Sequence, residues 1–292
     1  MSNMLVVGGS DDPNIIALLK ALEKREHPYV KLLVGENAHP SLFWDMQADQ
    51  LLLNNHILEA DSAFIRYDIF TYLNTNQAGA SQRAYSWYIT LMGWTLAHEK
   101  IRLFNRFSGF KPTNKTLNLF LAKQCGLATP TTYISNNLEE LGKTIEEKNA
   151  IVKPVNDGGF CEPLDEVLQV CPTIDGLTAS PAFVQAKLVP PEVRVYRIGH
   201  TWHGFQVVSK AIDYRTDQNV QLVPLTEVNS EILLGLSKLS EMLGLDFAAA
   251  DFKTCPETGN LLFLEINSAP MFVAFDNATG GKLIDAVIDL LA

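Results

Sequence analysis

Residues 247–267 read FAAADFKTCPETGNLLFLEIN. Two apolar runs flank Pro256, Thr258, Gly259 and Asn260, residue types that build turns. The stretch predicts a β-hairpin, with one strand through Phe252 and the other through Phe263. Side chains alternate faces along a strand, so Glu265 and Asn267 share one face. A turn centred on Thr258 sets Asp251 opposite Glu265. Like charges directly opposite one another destabilise a strand pair, and a divalent cation reverses that sign. Carboxylate and amide oxygens suit magnesium, which leaves its remaining positions to water and phosphate. From these residues alone, a solvated polar face with Lys253 as a neutraliser is the alternative.

The chain of 292 residues allows one large domain or two to three small ones. Its 47% hydrophobic and 19% charged content fits a globular protein with a sizeable core. No apolar run is long enough to span a bilayer. The residues after Met1 enter a strand without a basic segment, so no signal peptide is expected. A formal net charge of -10 argues against nucleic acid, which asks for a basic footprint. The four cysteines, Cys125, Cys161, Cys171 and Cys255, match no zinc spacing. They read as reduced thiols of a cytoplasmic protein.

Met4-Leu5-Val6-Val7, a helix capped by Asp11 or Asp12 with Pro13 in its first turn, and Val30-Lys31-Leu32-Leu33-Val34 form a βαβ unit. Gly8-Gly9 is not a dinucleotide fingerprint. Ala63-Phe64-Ile65 continues the sheet, and a helix with Leu91 and Trp94 follows. A boundary falls near Gly109 and Pro112. Next come a helix through Leu117, Phe120 and Leu121, stopped by Gly126, and an extended Thr129-Pro130. The helix expected between Leu138 and Glu147 leads to the strand Ala150-Ile151-Val152-Lys153. The turn Asn156-Asp157-Gly158-Gly159 after it suits phosphate, or is an ordinary turn. The strand Ala182-Phe183-Val184-Gln185 is expected to end at Pro190-Pro191. An alternating strand from Glu192 to Ile198 and a return from Gly204 form a meander that the hairpin can join. Leu236, Leu239 and Leu243 mark an amphipathic helix closed by Gly244, and Leu283, Val287 and Leu291 mark the last one.

In order along the chain, these pieces resemble the ATP-grasp ligases. The likeness is greatest to the graspetide (microviridin-type) macrocyclases and the ribosomal-protein glutamate ligases. Asn114-Lys115 and Gly126-Leu127-Ala128-Thr129-Pro130 resemble the entry to that domain, and Ile134-Ser135-Asn136 the next block. Asp213-Tyr214-Arg215 resembles an Asp-Trp-Arg motif of the macrocyclases, and Thr279-Gly280 stands where both branches carry Thr-Gly. The resemblance implies α/β and α+β architecture. A Rossmann-like N-terminal domain (1–110) would precede a central ATP-grasp lobe (111–188) and a C-terminal lobe carrying the metal site (189–292), the two lobes clasping ATP. It implies that Lys115, Lys153, Gln185, Ala186, Leu188 and Glu192 bind the nucleotide. Lys153 would meet phosphate, residues 185–188 would form the adenine hinge and Glu192 would meet the ribose. Asp251, Glu265 and Asn267 would hold Mg2+, or Mn2+ in its place. Ala186, where the family usually has Glu, the acidic phosphate loop and the absence of Gly after Asn267 depart from its pattern.

The implied reaction is ATP-dependent joining of a carboxylate to an amine or hydroxyl through an acyl phosphate, with ADP and phosphate as products. Arg215 would stabilise the tetrahedral intermediate or the transferred phosphoryl group. Arg194 would meet a substrate carboxylate or phosphate. A salt bridge to a local carboxylate is the alternative for each arginine. The expected substrate is a peptide or protein, with no nucleic acid or membrane partner and a homo-oligomer left open. The alternatives are a ligase of small amino acids or dipeptides, of the glutathione-synthetase kind, and a nucleotide-binding regulator without turnover.

Overall fold

The computed structural model describes residues 3–35, 40–70, 78–109, 114–138, 140–141, 145–155 and 159–292. The expected phosphate turn at 156–158, part of the expected helix between 138 and 147, and the boundary residues 110–113 lie outside these. Contacts divide the chain into two units, 1–106 with 271–292, and 107–270.

The first unit holds β1 (Met4–Gly9), β2 (Tyr29–Val34), the antiparallel β3 (Leu42–Asp45), β4 (Gln50–Leu53) and β5 (His56–Ile57), then β6 (Ser62–Ile65) and β7 (Arg102–Leu103). The sheet order β2-β1-β6-β7 is parallel throughout, as the βαβ reading expects. Asp12 caps the helix Pro13–Lys24 by accepting from the Asn14 backbone N–H. The helices Val273–Thr279 and Lys282–Leu291 belong to this unit and not to the hairpin that precedes them in sequence. Asn14 Oδ1 accepts from the backbone N–H groups of Phe272 and Val273 at 2.8 and 3.0 Å, which fixes where the chain returns.

The second unit is built on two sheets. One has the order β10-β9-β11-β8, from β8 (Thr132–Asn137), β9 (Ala150–Pro154), β10 (Glu162–Pro163) and β11 (Leu177–Ala186). The other, wholly antiparallel, has the order β14-β13-β12-β15-β16, from β12 (Val189–Ile198), β13 (Thr201–Val208), β14 (Gln221–Pro224), β15 (Phe247–Thr254) and β16 (Leu261–Asn267). The expected meander and its junction with the hairpin are both present. Pro190 and Pro191 do not end β11. They lie inside β12, where the pairing with β15 shifts register between Val189 and Glu192.

The five-stranded sheet has two unlike faces. Val193, Val195, Ala248, Ala250, Phe252, Phe263 and Ile266 pack against Leu236, Leu239 and Leu243 of the helix Ser230–Leu243 and against Ala122 of the helix Lys115–Gln124. Burying this face supplies the hydrophobic stabilisation of the lobe. Period-two alternation sends Glu192, Arg194, Asp251, Lys253, Glu265 and Asn267 to the other face.

Candidate functional site

Asp251 lies directly opposite Glu265, and Ala249 opposite Asn267. The register achieves this through an irregularity. Phe252 pairs with Phe263 and Thr254 with Leu261, so Leu264 is an extra residue that restores the opposition of the two carboxylates. Asn267 Nδ2 donates to Glu265 Oε1 at 3.1 Å, which leaves the amide oxygen as the atom that Asn267 would offer a cation.

Cations from neighbouring elements meet each carboxylate. Arg194, opposite Asp251 on β12, places Nη1 3.0 Å from both Asp251 oxygens, and both residues are buried. Its Nε donates to Tyr196 Oη at 3.0 Å and its Nη1 to Tyr214 Oη at 3.1 Å. Burial pushes the Asp251 carboxyl up, aided by Glu265 and opposed by Arg194. Burial likewise works on Glu265, but Lys115 and Lys153 hold it below the ordinary carboxylate range. Lys115 Nζ, at the start of its helix, lies 3.4 Å from Glu265 Oε2. Lys153 comes from β9 with its ammonium over the Phe183 ring, and burial lowers its pKa despite the pull of Glu265.

Glu192 is buried and its Oε2 lies 3.3 Å from Lys253 Nζ, which also donates to the Ile212 carbonyl at 2.7 Å. Lys253 therefore neutralises Glu192 rather than the hairpin carboxylates. Arg215 makes a two-nitrogen pair with Asp213, Nε to Oδ1 at 2.9 Å and Nη2 to Oδ2 at 2.5 Å. It also donates to the Gly159 carbonyl at 3.0 Å and lies over the Phe160 ring. Gln185 is buried at the end of β11 and donates through Nε2 to Thr132 Oγ1 at 2.9 Å. Ala186 and Leu188 sit just beyond it, and the Ala186 N–H is taken by the Thr131 carbonyl. Thr279 and Gly280 end a helix of the first unit.

Asp251, Glu265, Asn267, Lys115, Lys153, Arg194 and Glu192 thus come together in one unit. The donor set of two carboxylates and one amide consists of hard oxygens and fits magnesium. Among the described residues no group of three or more His, Cys, Asp or Glu is placed to hold a metal. Gln185 Oε1, buried and without a hydrogen-bond partner, fits a base that brings a donor. The sequence did not single out Tyr196, Tyr214 or Asp213 as partners of the two arginines. Same-face spacing along β12, two residues from Arg194, was the signal for Tyr196; Asp213 instead caps the short turn that carries Arg215.

No family model and no curated protein matches the chain. Solved structures do. The ATP-grasp ligase PsnB complexed with minimal precursor superposes with a TM-score of 0.79 at 22% identity, covering 100% of both chains. The macrocyclase MdnC bound with precursor peptide MdnA, from Microcystis aeruginosa MRC, gives 0.73 at 20% identity and 99% of both. The VanG D-Ala:D-Ser ligase from Enterococcus faecalis gives 0.61 at 14% identity, with 100% of this chain and 99% of that one. The chain has the ATP-grasp fold. No helix among the described residues is long and apolar enough to cross a membrane.

Proposed function

We propose that the chain is an ATP-dependent ligase that joins a carboxylate of a peptide to an amine or hydroxyl. The observation that carries this reading is the opposition of Asp251 and Glu265, with Asn267 beside them, under Lys115, Lys153 and Arg194. PsnB and MdnC, which share the fold, bind precursor peptides, and this supports a peptide over a free amino acid. We read the two sheets of residues 107–270 as the two lobes that hold the nucleotide and the first unit as the Rossmann-like domain. Free cysteines throughout agree with a cytoplasmic protein.

The substrate carboxylate attacks the γ-phosphorus of ATP, ADP departs, and the acyl phosphate then loses phosphate to the incoming amine or hydroxyl. Asp251, Glu265 and Asn267 would hold magnesium, which would supply neutralisation of the phosphate charge. Lys153 and Lys115 bring positive charge to the same phosphates. Gln185 to Leu188 orient the base, and Glu192, kept in place by Lys253, is the acceptor for ribose hydroxyls. Arg215, held in one orientation by Asp213, brings positive charge to the transferring group. Arg194 holds Asp251 in register and is a positioning residue in this arrangement.

The test is incubation with ATP, magnesium and short peptides rich in Thr, Ser, Lys, Asp and Glu, followed by phosphate release and product mass. Loss of one water per bond formed, one phosphate for each, is expected. Phosphate release without any change of peptide mass would leave only a nucleotide-handling protein.

A further inference from the structure

We infer that Thr132 sets the base selectivity of the nucleotide site by fixing which end of the Gln185 side-chain amide meets the base. The inference rests on the nucleotide reading above.

Thr132 Oγ1 donates its one proton to the Pro130 carbonyl at 2.8 Å. Toward Gln185 it can therefore only accept. Gln185 must turn Nε2 to it, as the 2.9 Å hydrogen bond shows, and Oε1 the other way. The side chain is 1% exposed, and Oε1 has no hydrogen-bond partner among the described residues. An unpaired buried acceptor is costly, so this atom asks for a donor. Gln185 shares its face of β11 with Phe183, whose opposite number on β9 is Lys153. Val184, on the other face, belongs to the small core with Leu141 and Leu164. The orphaned acceptor thus lies on the face that carries the phosphate lysine, beside the hinge residues. It is shielded from solvent, so a base reaches it by displacing a side chain of that face.

Adenine presents an exocyclic amine at C6, which donates. Hypoxanthine and guanine present a carbonyl there, which only accepts and would stand acceptor against acceptor. With Thr132 in place the amide cannot flip to accommodate the carbonyl without losing its Nε2 bond.

Isothermal titration of the full chain with magnesium and ATP, inosine triphosphate or purine riboside triphosphate tests this. The parent should bind ATP at least about tenfold tighter than the inosine nucleotide, with the unsubstituted purine between them. Thr132→Val removes the constraint and should bring the ratio to within about threefold. Thr132→Ser, which keeps the hydroxyl, should retain it. Melting temperature without nucleotide checks that each variant is folded. If Thr132→Val does not fold, Gln185→Leu replaces it and should erase the ratio. An unchanged ratio in Thr132→Val or Gln185→Leu, or equal loss in Thr132→Ser, overturns the inference. Equal binding of ATP and the inosine nucleotide by the parent overturns it too, while leaving nucleotide binding intact. No binding of any nucleotide to the parent removes the reading on which it stands.

Discussion

Arg194 and Asp251 face each other across β12 and β15, and a single guanidinium nitrogen, Nη1, lies 3.0 Å from both oxygens of the carboxylate. The pair is buried, and Glu265 adds a second negative charge on the far side of Asp251. Removing the cation leaves Asp251 desolvated and opposed by a like charge. Arg194→Met should therefore destabilise the protein by about 3–5 kcal/mol, the usual cost of breaking a buried ion pair from one side. Adding Asp251→Asn should recover much of the loss. Denaturant unfolding at neutral pH measures both, and a loss under about 1 kcal/mol for the single variant would show that Asp251 does not depend on Arg194.

Glu265→Gln separates chemistry from folding. Product formation should fall by about two orders of magnitude or more, since the phosphate charge loses part of its counter-cation site. From sequence, relief of the repulsion on Asp251 is the only electrostatic change, and stability is expected to hold or rise. The structure adds the opposite contribution, because Lys115 and Lys153 lose the carboxylate that offsets them. The depressed Glu265 carboxyl marks the second contribution as the larger, so without nucleotide the melting temperature should fall modestly. Normal turnover by this variant would remove Glu265 from the reaction.

Asp213 gives a pH dependence of predictable sign. Burial pushes its carboxyl up, but the Arg215 guanidinium more than offsets this and holds it below the ordinary range. Because the folded form binds the proton less readily than the unfolded chain, this contribution is present above the unfolded value of about 3.9 and fades as pH falls through the folded one. In Arg215→Met the guanidinium is gone while the backbone N–H groups of residue 215 and Cys161 still donate to the carboxyl. The carboxyl therefore rises toward the unfolded value and most of this contribution disappears. Unfolding free energies of parent and variant between acid and neutral pH should diverge as pH rises, and parallel curves would contradict the pairing.

Gly9 ends β1 against Asp68, and a Cβ built there would overlap the Asp68 carboxylate. Asp68 is buried and its Oδ1 is tied to the Phe70 N–H at 2.9 Å, so it has little room to move. Gly9→Ala should cost about 1–3 kcal/mol by overpacking. Thermal unfolding reads the loss, and a variant as stable as the parent would show that Asp68 can swing aside.

The hairpin was legible because turn formers and period-two alternation are local. The opposition of Asp251 and Glu265 followed from a turn centred on Thr258, yet the strands near the turn pair one residue off that centre, and the extra residue Leu264 brings them back. The face on which Glu192, Arg194 and Asp251 stand was also readable. Which cation meets which carboxylate was not, since Lys253 and Arg194 each have two acidic neighbours in sequence reach. The return of residues 271–292 to the first unit was hidden for a different reason. Their amphipathic pattern states that one side is covered, not by what, and the decision rests on contacts distant in sequence, among them Asn14 with Phe272 and Val273 and Arg25 with Asp285 and Asp289. The helix Leu164–Val170 escaped notice because it is short and has no side-chain cap.

All eight residues of β15 are buried, although alternate side chains serve opposite purposes. Such a strand has no silent positions: a substitution there is felt either by the apolar packing or by the charged constellation. Freedom to diversify must lie elsewhere, and the connection that follows provides it, since residues 256–260 are all exposed. A reporter or affinity peptide spliced between Thr258 and Gly259 would project into solvent from the two strands that carry the acidic centre, without entering it.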